Sequence, residues 1–144
     1  MKYLPIAATM ALLAAPAFAE GDAANGEDVF NRQCGTCHVV QNEAGETLAG
    51  RAAVIGPNLF GVVGRAPGTY PDFRYGDALI AYGATEVVWG EENLVAYVQD
   101  PADFLRTALD DRRARGKMAF QLRDAQEAAD VYAFLATYAA PAAE

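Results

Sequence analysis

The sequence predicts an all-α domain of about five helices wrapped around one covalently bound group, and three observations predict it. A chain of 144 residues supports a single domain. Its apolar residues recur at helical spacing in short segments that end at glycine or proline. Most specific is Cys34-Gly35-Thr36-Cys37-His38, because C-x-x-C-H is the attachment signature of a c-type haem. The thiols of Cys34 and Cys37 form thioethers to the porphyrin vinyl groups, and His38 presents an imidazole nitrogen to the iron.

The other uses of C-x-x-C do not fit. A thioredoxin-like redox pair sits at a helix start beside a βαβ pattern, and a zinc site needs further ligands. This chain has two cysteines and one histidine in all, and all three fall in the pentapeptide. With both cysteines committed to the porphyrin there is no disulfide. The haem then is the core, and the apoprotein is expected to be poorly folded.

Residues 1–19 read as a secretory leader. Lys2 gives a positive start, residues 6–15 are a short apolar run, and Ala17-Phe18-Ala19 is a small-x-small cleavage site before Glu20. The run is shorter than the roughly 20 residues a spanning helix needs. The mature domain is expected to be residues 20–144, in the periplasm, with no stable membrane insertion. Losing Lys2 leaves ten basic against 19 acidic residues, a formal charge of −9. No nucleic-acid partner is expected, and the domain is expected to be a monomer.

The elements follow in order. Asp22 can cap a first helix whose apolar positions Ala23, Val29 and Phe30 point inward, with Asp28 and Arg32 at i,i+4 spacing outside. Residues 39–55 read as a loop, with Gly45 and Gly50 as turn signals. Tyr70-Pro71-Asp72 is a turn, and residues 76–82 form a short helix closed by Gly83. Residues 91–98 are acidic at their start and apolar at Leu94, Tyr97 and Val98, which suits a helix that ends at Asp100-Pro101. Residues 102–109 form another, with Phe104, Leu105 and Ala108 inward. The clearest helix is the last. Asp124 with Glu127 makes a capping box, Val131, Phe134, Leu135 and Tyr138 form an apolar stripe, and Pro141 ends it.

Taken together, C-x-x-C-H, Gly56-Pro57-Asn58-Leu59, Gly61-Val62-Val63-Gly64-Arg65, Tyr75, Trp89, Tyr97 and Met118-Ala119-Phe120 strongly resemble the class I cytochromes c, the cytochrome c2 subgroup of purple photosynthetic bacteria above all. The resemblance covers the mature chain and implies the class I fold with crossing terminal helices. It also implies residue roles. The Pro57 carbonyl accepts from the proximal histidine, as haem-ligating histidines require to fix their tautomer. Arg65, Tyr75 and Trp89 hold the inner haem propionate, and Tyr97 lies near the axial methionine. One departure concerns a threonine often found two residues before that methionine, which is Gly116 here.

Met1 and Met10 leave with the leader, so the mature chain holds one methionine, Met118, and no histidine besides His38. Met118 follows a charged loop, outside any apolar stripe, and matches the family's axial ligand. With His38 and Met118 both on the iron, no position is open to substrate, and a thioether ligand raises the potential relative to bis-histidine ligation. The expected protein is an electron carrier with one haem c, not an enzyme. The resemblance implies a bc complex as donor and a photosynthetic reaction centre or cytochrome oxidase as acceptor. A relay subunit of a larger periplasmic redox enzyme shares the fold and stays open as an alternative. Arg106, Arg112, Arg113, Arg115, Lys117 and Arg123 stand against only Asp110 and Asp111, a local balance of +4 that leaves −13 elsewhere. This segment, beside the methionine in the family, is the expected docking face for an acidic partner.

Overall fold

The computed structural model describes residues 20–139, so the expected leader and Pro141 lie outside the described residues. Among the described residues there are five α-helices and one two-stranded ribbon. Helix α1 spans Ala23–Val29 and is followed without a break by a π-helical turn, Phe30–Cys34. Strands β1 (Val39–Gln41) and β2 (Thr47–Gly50) pair antiparallel. Helices α2 (Asp77–Gly83), α3 (Glu91–Gln99), α4 (Pro101–Ala108) and α5 (Ala125–Ala136) complete the chain.

The pairing of α1 with α5 organises the fold. Asp22 caps α1 through Oδ1, which accepts from the N–H groups of Ala24 (2.9 Å) and Asn25 (3.2 Å). Val29 and Phe30 are wholly buried, and Phe30 meets Phe134 of α5 at 5.5 Å between ring centroids. The two backbones approach so closely that a Cβ on Gly26 would stand 1.9 Å from the Asp130 carbonyl oxygen. Only glycine permits that contact. Polar groups close the same seam: buried Asp130 accepts from the Asp22 N–H (2.8 Å), the Gln126 side chain (2.8 Å) and the Asn25 side chain.

Several expectations need correction. Residues 39–55 are not all loop, because β1 and β2 form within them, with Gly45 (φ 82°) and Gly50 (φ 78°) supplying the left-handed positions. Arg32 reaches across to Glu127 of α5 at 3.1 Å, since the π-turn shifts the register on which i,i+4 spacing rests. That contact and a 2.8 Å bond from Gln33 occupy the Glu127 carboxylate. The capping box is therefore half made: Asp124 accepts from the Glu127 N–H at 2.9 Å, and the reciprocal arm is diverted. Helix α4 starts one residue early because Asp100 caps it and Pro101 suits its first turn. Its buried side runs Pro101, Leu105, Leu109, so Ala108 falls off the stripe and is exposed. Helix α5 ends at Ala136, before Pro141, where Thr137 Oγ1 donates to the Phe134 carbonyl at 2.7 Å.

Candidate functional site

The residues singled out by the sequence converge on one cavity of about 510 Å³, within the size range of cofactor sites. Cys34, Cys37, His38, Pro57, Arg65, Tyr75, Trp89, Tyr97 and Met118 all line it. Apolar side chains from most of the fold complete the wall, among them Phe30, Leu59, Leu79, Leu94, Val131 and Leu135.

The π-turn delivers the attachment motif. Its extra residue closes with the Gly35 N–H donating to the Phe30 carbonyl (2.8 Å), after which Cys37 and His38 both donate to the Cys34 carbonyl at 3.0 Å. Burial, with the nearby Cys37 and Glu127 adding to it, pushes the Cys34 thiol up to about 11.

Two contacts hold the His38 ring. Its Nδ1 lies 2.9 Å from the Pro57 carbonyl oxygen, an acceptor only, so Nδ1 carries the proton and Nε2 keeps a free lone pair. Burial holds the imidazole below its usual pKa, against the smaller upward pull of the Pro57 bond, and so favours the neutral ligand form. A Cβ on Gly56 would stand 2.3 Å from His38 Cε1, so the backbone itself packs on the ring. The Gly56 N–H donates to the Cys37 carbonyl at 2.7 Å.

Asn58 is the site residue whose role the sequence left unread. Its Oδ1 accepts from the N–H groups of Gln41 (3.0 Å) and Phe60 (3.0 Å), and its Nδ2 donates to the Gln41 carbonyl (2.7 Å) and Tyr70 Oη (3.3 Å). It locks the Pro57 loop to β1. Its position directly after the proline is the only sequence signal that could have shown this.

Arg65 donates to the carbonyls of Phe60 (3.0 Å) and Asn58 (3.3 Å) and lies over the Tyr70 ring at 5.0 Å. Main-chain bonds tie it to Trp89, with the Trp89 N–H donating to the Arg65 carbonyl at 3.0 Å. Tyr75 packs edge-on against Phe73 at 4.8 Å. Trp89 and Tyr97 meet as a tilted pair at 5.0 Å between ring centroids, with Tyr82 and Phe104 packed against them. Burial, and secondarily Tyr75, push the Tyr97 phenol up to about 12, so it stays a hydrogen-bond donor.

These walls fit a haem. Two thiols, a neutral imidazole with Nε2 free and one thioether meet in a largely apolar chamber, and a guanidinium and two phenols supply polar points on its lining. The donor set, one nitrogen and one thioether sulfur, suits iron of an electron-transfer haem.

The chain matches no protein-family profile. Similar proteins are nonetheless close. Cytochrome c2 of Rhodovulum adriaticum is 53% identical over 117 residues, which cover 81% of this chain and 92% of that protein. Cytochrome c2 of Rhodobacter capsulatus is 50% identical over 139 residues, covering 95% of this chain and 98% of that one. The crystal structure of cytochrome c2 from Rhodobacter sphaeroides superposes with a TM-score of 0.81 at 45% identity, over 85% of this chain and 100% of that one. Ferric cytochrome c-550 from Paracoccus versutus superposes with a TM-score of 0.77 at 41% identity, over 84% and 100%.

Proposed function

The chain belongs to the cytochrome c2 family, and from that premise we propose that it shuttles single electrons in the periplasm, from a quinol-oxidising bc complex to a photosynthetic reaction centre or a terminal oxidase. It carries one haem c on Cys34 and Cys37 and is an electron carrier, not an enzyme. Residues 1–19 serve as the export leader and are removed. Among the described residues no helix is long and apolar enough to cross a membrane.

When bound, the haem supplies an iron that changes charge by one electron. His38 would hold that iron through Nε2, its tautomer fixed by the Pro57 carbonyl, and Met118 would hold it through its thioether, which would leave no position open to substrates. Arg65, Tyr75 and Trp89 would receive the inner propionate, and Tyr97 would flank the methionine. One observation carries the reading: the chain's single histidine and the single methionine of residues 20–139 line the same cavity.

Docking uses the basic segment. All six cationic side chains are exposed, and of these six only Arg106 pairs with a carboxylate among the described residues, Asp103 at 3.7 Å. Lys117 lines the cavity mouth beside the exposed apolar residues Ile55 and Phe120. An acidic partner is thus steered to an apolar rim.

Two measurements test this. The reduced protein is expected not to bind carbon monoxide; ready binding means the sixth position is open and the carrier reading fails. The oxidation rate by an acidic partner is expected to fall steeply with salt, as the Debye length shrinks from about 30 Å at 0.01 M to about 8 Å at 0.15 M. A flat or rising rate would overturn the basic docking face.

A further inference from the structure

Met118 lies in the irregular stretch between α4 and α5. Among the described residues, no hydrogen bond between main-chain groups holds residues 115–121, and the Lys117 side chain, which donates to the Arg74 carbonyl, is exposed. Packing must therefore set the course of this loop, and the contact lies just before the methionine. A Cβ on Gly116 would stand 3.2 Å from Cδ1 of Leu105 and 3.9 Å from Tyr97 Oη. Gly116 does not have a positive φ, so a side chain there would be resisted by this tight contact and not by backbone strain. Leu105 is wholly buried on the inner face of α4 and cannot withdraw cheaply. Ala114, buried and bonded through its N–H to the Asp111 carbonyl at 3.0 Å, pins the loop on the other side of Gly116.

We propose that Leu105 is a positioning residue for the axial thioether: its side chain is the seat on which Gly116 rests, and this seat holds Met118, two residues on, within reach of the iron. The proposal rests on the reading that Met118 is the ligand. A loop lifted from its seat spends more time with the thioether away from the iron, and an added ligand competes for that state in proportion to its population.

The test titrates the oxidised holoprotein with imidazole and follows the weak long-wavelength sulfur-to-iron band. Leu105→Ala is expected to bind imidazole about tenfold more tightly than the parent. Val29→Ala, an equally buried change in α1 away from the loop, is expected to leave that affinity within about twofold despite a comparable loss of core packing. Gly116→Ala is expected to tighten imidazole binding as well, and Leu105→Val in that background to restore it, since the added methyl and the removed carbon meet at one contact. Equal shifts in Leu105→Ala and Val29→Ala, or no effect of Gly116→Ala, would overturn the seat. Should Leu105→Ala fail to yield holoprotein, the Gly116→Ala pair decides alone. Met118→Ala separates the two levels: a band that survives it refutes methionine ligation itself, whereas a band lost there and unmoved in the seat variants refutes only the role of Leu105.

Discussion

His38 and Met118 sit in the same cavity but are held in opposite ways. His38 follows a π-turn closed by main-chain bonds, touches the Gly56 backbone, and has its ring nitrogen on a carbonyl that Asn58 ties to β1. Behind it stands the α1–α5 seam, polar and apolar at once. Met118 rides a loop without such bonds, seated by packing at Leu105. One side of the site adjoins a seam closed by hydrogen bonds and aromatic packing; the other is carried by a loop without main-chain bonds, the kind of segment that is expected to open first. Changes on the histidine side should therefore act on global stability, and changes on the methionine side on ligand exchange and docking.

The largest effect is expected from Gly26→Ala. The added carbon meets main chain at 1.9 Å, which no rotamer change relieves, so α1 and α5 must part. A loss of about 3 kcal/mol, the upper end for overpacking, should appear in guanidinium unfolding of the holoprotein. A change smaller than that of an exposed ion pair would break the comparison.

Asp130→Ala comes next, at about 1–3 kcal/mol, because three donors lose their acceptor. It also carries a pH signature. Burial raises the Asp130 pKa, but the Asp22 N–H and the Asn25 and Gln126 amides outweigh it and hold the carboxyl below its usual range. A carboxyl depressed in the folded state contributes stability above its unfolded pKa, and this is lost as pH falls through the folded value. Unfolding midpoints measured from neutral pH into the acid range should thus fall less steeply in Asp130→Asn than in the parent. Parallel curves would remove Asp130 as an acid-sensitive clamp.

Smaller still is Arg32→Ala, at most about 1 kcal/mol, since its pair with Glu127 is exposed. On the other side, Arg113→Glu should leave stability within about 0.5 kcal/mol and the potential nearly unchanged, while slowing oxidation by an acidic partner at low salt. Stopped-flow rates at two ionic strengths decide it. A stability loss there as large as that of Asp130→Ala would blur the two regions.

The sequence made the chemistry legible and much of the scaffold with it. Cys34, Cys37 and His38 announce themselves because covalent haem attachment demands a fixed spacing, and Val131, Phe134 and Leu135 because one helix face must be apolar. What stayed hidden depends on contacts between distant segments. Asp130 looks like a surface acid until Asp22 and Asn25 arrive from 105 or more positions away. The ribbon at residues 39–50 is too short for alternation to register, and it forms because β1 is also held by Asn58. Ala108 fell on the wrong side because the last turn of a short helix has too few apolar positions to fix its phase.

The most direct test of this two-sided site is an imidazole titration of the oxidised holoprotein, followed at once by the sulfur-to-iron band and by the proton resonances of the His38 ring. The band is predicted to be present at the start and to vanish as imidazole binds, while the His38 signals, including the Nδ1 proton held by Pro57, persist throughout. A band absent from the untreated protein, or one that persists while the His38 signals are lost, would contradict the assignment of a fixed histidine and an exchangeable methionine.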